Sequence, residues 1–449
     1  MTMDKEENTT SGALSVEPTG PLKGGAGPEK DPESAHTIDH DSFGQVGLLL
    51  ITSFNCGYIL SFSNLMLVPL GWTWGVISLI LVGLFTAYAN WLLSEFHFVD
   101  GKRFIRYRDL MGHLFGRKMY YATWVLQFSI LLLGNMGFLP LGGKALKEIN
   151  SELSDSPLRL QCYIVITGTT YFIFALLVPT LSSMRRWLAI SVVLTFTYIM
   201  ILLVILFQDG RSNKHRNYDI SGNNFSKVMN GFGAISAIIV CNTSGILPEL
   251  QSTLRKPAIT NMRKALYLQY SVGLFFYYGV SIEGYWAYGS TVSVYLPEML
   301  RGPKWANVTI NAISFVQSII SQHMFIAPIH ETLDTKFLRL EKSIHSRENI
   351  KNLLLVRAMV FTSNTLVTAA FPFMGDFVNL LGSFSLIPLT FIFPSMIYIK
   401  VKGKTTRLEK KAWHRGIIIL FSLLTIATTI SAIRLIVNNV REYHFFADV

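Results

Sequence analysis

Two runs of small, hydrogen-bonding residues interrupt otherwise apolar sequence: Ser53-Phe54-Asn55-Cys56-Gly57-Tyr58, and Cys241-Asn242-Thr243-Ser244-Gly245 with Pro248 and Glu249 close behind. Proline removes an amide donor and crowds the turn before it, while glycine and asparagine accept backbone angles that end a helix. Each run is therefore expected to unwind a helix partway along. That leaves free amides at the start of one half-helix and free carbonyls at the end of the other, groups that bind ions and polar solutes through the backbone itself. Facing lipid, each would cost several kcal/mol, so unwound backbone belongs against protein or a cavity.

Other residue types extend this chemistry. Glu249 is a carboxylate beside the second break, and an ionisable group inside a membrane is read first as functional. It is either the proton-coupling group or an anchor paired with a basic loop residue or a backbone donor. Ser314, Gln317, Ser318 and Ser321 share one face of an apolar stretch, where hydroxyls serve either a cation or a neighbouring helix. Gln127, Phe128 and Asn135 offer polar and aromatic groups on a third stretch, and His323 is a lone histidine that packs or relays protons. A catalytic set is missing. His330-Glu331 with Asp334 lacks the second histidine of a zinc helix, and Cys56, Cys162 and Cys241 have no metal-ligand spacing. Neither enzyme activity, nor a metal, nor a cofactor is expected.

The elements that must position these residues follow from composition. Half of the 449 residues are hydrophobic, only 15% are charged, and mean hydropathy is +0.38, which makes lipid the main solvent. At roughly 20 residues per crossing, eleven apolar stretches qualify: 45–68, 74–93, 119–141, 162–178, 187–207, 232–250, 265–285, 305–326, 356–370, 377–399 and 416–437. An all-α membrane protein is expected. Residues 1–42 carry nine Asp/Glu against three Lys and no apolar core. They read as a disordered acidic cytoplasmic tail ahead of a transmembrane domain over 43–449. Loops on the side of the tail hold 25 Lys/Arg against 10 on the other, which places the N-terminus in the cytoplasm and, after eleven crossings, the C-terminus outside. The formal charge of +11 is then mostly an inner collar facing membrane lipid, leaving little for a nucleic-acid partner.

The two breaks fall in the first and sixth stretches, five apart. An odd number of crossings inverts the second unit against the first, so the pair fits a five-plus-five inverted repeat with a binding site between the broken helices. The eleventh helix is an addition.

The runs NCGYILSFSNLMLVPLGW, GKRFIRYRDLMGHLFGRKMYYATWVLQ, NTSGILPELQSTLRKPAITNMRKALYLQY and GYWAYGS, with the terminal HFFADV, resemble the plant proline transporters of the amino acid/auxin permease family. The resemblance covers about residues 41–449. It implies eleven helices in a LeuT-like fold and proton-coupled import across the plasma membrane. The substrates implied are small zwitterions: proline, glycine betaine and γ-aminobutyrate. General amino acid permeases of the family carry a Gly-Ser-Gly type run in the first helix, where this chain has Asn55-Cys56-Gly57-Tyr58. On this reading Ser53, Phe54, Asn55, Cys56, Gly57 and Tyr58 face Cys241, Asn242, Thr243, Ser244 and Gly245 across the substrate, with Phe128 and Asn135 beside them. Amides suit the carboxylate and carbonyls the nitrogen. Betaine has no N–H to donate, so an aromatic face among Phe54, Tyr58 and Phe128 is expected to hold its cation. Glu249, Ser314 and Ser318 are the ion-coupling candidates.

Overall fold

In lipid an apolar segment becomes a helix because every amide then finds its partner within the segment. The computed structural model describes residues 39–52, 59–154, 158–179, 184–339, 342, 346–372 and 378–442. Among them the chain is helical apart from one small hairpin and short links.

In chain order, α1 (Phe43–Thr52) and α2 (Ile59–Phe62) flank residues 53–58, and a π turn, Ser63–Leu67, continues α2. α3 (Gly71–Glu95) leads into the hairpin β1 (Phe98–Val99) and β2 (Lys102–Arg103), paired Phe98 to Arg103, and then α4 (Tyr107–Phe115). Next come α5 (Arg117–Leu153), α6 (Leu160–Leu177) and α7 (Arg185–Ser212). α8 (Asn224–Asn242) and α9 (Leu247–Ser252) form one interrupted segment. α10 (Ala258–Leu268) and α11 (Leu274–Tyr288) are joined by a π turn, Gln269–Gly273. α12 (Lys304–Phe337) and α13 (Arg347–Ala370) follow. Two π turns, Leu381–Leu386 and Pro388–Ile392, precede α14 (Phe393–Lys402), and α15 (Leu408–Glu442) ends the described chain.

Nine helices among the described residues are long and apolar enough to cross a membrane. The sequence places their apolar centres well and their ends less well. α5 runs to Leu153 rather than residue 141, and α12 to Phe337 rather than 326. Both pass through a proline, Pro140 and Pro328, and continue in good helix formers that are too polar for lipid.

Polar residues mark several starts. Asn223 Oδ1 accepts from Ser226 N at 2.8 Å to cap α8, Ser346 caps α13, and Gly116, at φ +85, separates α4 from α5. Burial sorts centre from rim. Of the most apolar window of the α8–α9 segment 83% is buried, against 28% for α15, so the interrupted segment is central and α15 faces lipid. α5 and α12 pack together along much of their length. Gly382 lets the segment before α14 touch α8, where a Cβ would lie 2.3 Å from the Ser236 carbonyl oxygen.

Of the segment read as tail, residues 1–38 lie outside the described residues. Residues 39–41 do not hang free. Asp39, His40 and Asp41 donate backbone N–H groups to the Ser252 and Thr253 carbonyls, and Arg255 N donates to Asp41 O at 2.9 Å. The segment ahead of α1 is thereby fastened to the end of α9.

Candidate functional site

The second break forms where proline and glycine place it. α8 ends at Asn242, Thr243 is extended at φ −147 and ψ 152, Gly245 sits at φ +70, and α9 restarts with Pro248 in its first turn. A left-handed angle at Gly245 costs an L-residue about 1–2 kcal/mol, and a Cβ there would meet Ile130 Cδ1 at 2.6 Å and Leu386 Cδ2 at 2.9 Å. Cys241, Asn242, Thr243, Ser244 and Gly245 are all buried, so the unwound backbone lies inside protein as the lipid argument requires.

Its polar groups are distributed among three neighbours. The Asn242 carbonyl accepts from Tyr270 Oη at 3.0 Å and Gln269 Nε2 at 3.3 Å. The Asn242 side chain donates to Ile238 O at 2.7 Å and accepts from Tyr278 Oη at 3.2 Å. Thr390 Oγ1 donates to Thr243 Oγ1 at 3.4 Å, and Gln127 Nε2 reaches the Gly245 carbonyl at 3.3 Å.

Glu249 connects the break to the Lys/Arg-rich face. Its Oε1 accepts from Gln127 Nε2 at 3.0 Å and from the free backbone N–H of Tyr107, at the start of α4, at 2.9 Å. Its Oε2 is buried with no hydrogen-bond partner among the described residues. Tyr107 in turn donates its hydroxyl to Leu389 O at 2.8 Å. Burial first, then the charge of Glu249, holds the Tyr107 phenol well above its ordinary pKa, so it stays a donor.

The first break, Ser53, Phe54, Asn55, Cys56, Gly57 and Tyr58, lies outside the described residues. Its edge is visible. Tyr277 Oη donates to the Ile51 carbonyl and lies 3.3 Å from that of Leu50, satisfying carbonyls left open where α1 ends. Tyrosines of one helix, α10–α11, therefore attend the ends of both α1 and α8.

The remaining candidates separate. Asn135 on α5 is fully buried, and neither of its side-chain polar atoms has a partner among the described residues. Phe128, one position past Gln127 and about 100° round the helix, is 37% exposed beside Trp124, its ring centroid 5.7 Å away. Ser314 donates to Ile310 O on its own helix. Ser318 donates to Phe315 O and abuts Gly142 of α5, where a Cβ would lie 2.5 Å from its Oγ. Gln317 ties α12 to α7, accepting from Ser191 Oγ at 2.7 Å and donating to Ser191 O and Thr195 Oγ1. Asp334, set near His330 by sequence, forms a two-pronged pair with the buried Arg357 at 3.0 and 2.7 Å.

Sequence reasoning missed Tyr107, Gln269, Tyr270, Tyr277 and Tyr278. Tyr270, Tyr277 and Tyr278 did carry a signal, since a spacing of seven and eight puts them on one helical face. It also missed a clasp on the Lys/Arg-rich face. Arg103 donates to Asp39 at 3.0 and 2.7 Å, to Ser252 O at 3.2 Å, and through Nε to His97 Nε2 at 2.9 Å. Burial first, then the Arg103 cation, pushes the His97 imidazole down to about 3, which keeps it the neutral acceptor this arrangement needs.

Comparison with known proteins places the chain among amino acid transporters. Three relatives from Arabidopsis thaliana are similar over most of their length. GABA transporter 1 is 27% identical over 423 residues, covering 89% of this chain and 93% of the relative. Lysine histidine transporter-like 1 is 25% identical over 388 residues, 84% of each. Lysine histidine transporter-like 6 is 26% identical over 394 residues, 84% of this chain and 87% of the relative. These are transporters, not enzymes. Residues 39–435 match the family described as transmembrane amino acid transporter protein, and the chain belongs to that family.

Proposed function

We propose that the protein is a proton-coupled importer of proline and related compatible solutes, glycine betaine and γ-aminobutyrate, at the plasma membrane. The observation that carries the reading is the buried break between α8 and α9, joined through Gln127 to Glu249. One side of this arrangement offers backbone groups to a zwitterion, and the other a carboxylate that exchanges protons. Both roles weighed for Glu249 have support in its contacts: Oε1 accepts from the start of α4, as an anchor would, and Oε2, with no donor among the described residues, is open to a proton. A proton arriving at Oε2 would turn it into a donor and change what it can bind.

The wider architecture is part of the proposal. With α1–α2 and α10–α11 each counted as one crossing, the spans number eleven; the run 53–58, expected to unwind, falls in the first, and the break at 243–246 falls in the sixth. This supports a LeuT-like five-plus-five inverted repeat with the solute between α1–α2 and α8–α9. The Lys/Arg distribution supports a cytoplasmic N-terminus and an external C-terminus. The relative named as a GABA transporter supports γ-aminobutyrate among the substrates.

Uptake of labelled proline, betaine and γ-aminobutyrate into cells expressing the protein tests the reading, with the pH gradient and sodium varied independently. Accumulation that follows the pH gradient and ignores sodium is expected. Sodium dependence would reassign coupling. Uptake of other neutral amino acids in place of these three would reassign the substrate, and binding without flux would mark a sensor.

A further inference from the structure

On the Lys/Arg-rich face, a cleft of about 500 Å³ opens where α4, α14 and α15 meet. Four cations line it: Lys400 from α14, Lys404 from the turn that follows, and Lys411 and Arg415 one turn apart on α15. The lining holds no acid. Neighbouring cations are engaged elsewhere, Lys402 with Glu95 and Arg263 with Glu95 at 3.6 Å. The four in the cleft form no ion pair and no side-chain hydrogen bond among the described residues, and like charges this close repel unless an anion lies between them.

The rest of the wall is apolar. Phe115 at the end of α4 and Ile418 on α15 line the cleft beside the cations. From there α15 turns outward with Ile419, Leu420 and Leu423, all more than half exposed, a surface that only hydrocarbon covers comfortably. Trp413, exposed and stacked on Phe85 with centroids 6.3 Å apart, marks the boundary level where amphipathic aromatics gather. A soluble anion would use the cations and leave this apolar ramp idle. A phospholipid uses both.

We propose that this cleft is a binding site for the phosphate-bearing headgroup of an anionic phospholipid, with Lys411 and Arg415 on the phosphate, Lys400 and Lys404 around the headgroup, and the acyl chains along α15. The assignment to the inner leaflet rests on the orientation proposed above. The binding itself does not, because the cleft and the ramp are features of the protein alone. Each basic residue in contact with the bound headgroup is expected to strengthen binding about fivefold, and arginine adds a planar two-pronged contact to phosphate oxygens.

The test is a titration of the purified full chain, in discs of phosphatidylcholine, with phosphatidylserine or phosphatidylinositol, read as lipid retained by native mass spectrometry. The wild type is expected to retain the anionic lipids. The Lys411→Gln/Arg415→Gln variant should bind them about thirtyfold more weakly, and Lys400→Gln/Lys404→Gln should weaken in the same direction if the first pair fails to fold. A control pair outside the cleft, Arg407→Gln/Lys410→Gln, should match the wild type. Equal losses in cleft and control pairs would overturn the site in favour of diffuse attraction. Competition by inorganic phosphate at millimolar concentration would overturn the lipid in favour of a soluble anion. Discs present the same lipid in both leaflets, so a failure here is separable from a failure of the orientation, which a reporter after Val449 reads independently.

Discussion

Glu249 is held by one carboxylate oxygen and open at the other, and that asymmetry sets what its removal should do. Glu249→Gln keeps the size and an oxygen able to accept from Tyr107 N and Gln127 Nε2, but it abolishes titration. Surface delivery is therefore expected to persist, while accumulation loses its dependence on the pH gradient. Full pH-gradient dependence in correctly delivered E249Q, measured by uptake at two external pH values, would remove Glu249 from coupling. Aromatic selectivity is narrowed in the same way. Phe128 points away from Gln127 and sits exposed beside Trp124, so Phe128→Leu should leave the betaine-to-proline ratio of half-saturation concentrations unchanged. Phe54→Leu or Tyr58→Leu should weaken betaine more than proline, by up to about thirtyfold for a desolvated cation–π contact of about 2 kcal/mol. A ratio unmoved in both would eliminate an aromatic holder of the cation in the first break.

Among the elements, the α8–α9 break and the clasp beneath it make the clearest predictions. Gly245→Ala combines a left-handed backbone with contacts under 3 Å to Ile130 and Leu386, so it should abolish uptake, or delivery, where Ser244→Ala is mild. Uptake normalised to surface protein checks this. The clasp adds a pH dependence. Unfolded His97 binds a proton near its ordinary 6.5 and the folded form only near about 3. Its stabilising contribution is therefore complete above 6.5 and is lost as pH falls toward 3. At pH 5, about 1.5 units below the unfolded value, the loss is about 2 kcal/mol. His97→Gln, still an acceptor for Arg103, should show a smaller drop in melting temperature between pH 7 and pH 5 than the wild type. How far such features could be read in advance depends on their range in the chain. The break was legible because Gly245 and Pro248 act on their own backbone, and Gln127 stood out as polar within an apolar stretch. The tyrosines of α10–α11 were not, because their role depends on carbonyls of other helices that only packing brings near. Asp39, His40 and Asp41 looked like tail because their partners, Ser252, Thr253 and Arg103, are more than 60 residues away.

For the molecule as a whole, orientation is the first thing to measure. Reporters before Met1 and after Val449 should lie on opposite sides, the first in the cytoplasm, as 25 against 10 Lys/Arg in the loops predicts. Reporters on one side would make the number of crossings even. Gln317 spends both ends of its amide on α7, and Asp334 holds the buried Arg357, so buried polar contacts tie α12 to both α7 and α13. The π turns carry a further consequence. Each holds one residue more than an α-helix of the same rise, so 63–67, 269–273, 381–386 and 388–392 behave as single-residue insertions. Excision of Ser271 would wind the next stretch about 100° round its axis and take Tyr277 off the Ile51 carbonyl and Tyr278 off Asn242. Residue-by-residue correspondence with a distant relative that lacks one of these turns therefore slips by one position there, and a tyrosine out of register on paper can be in register in space.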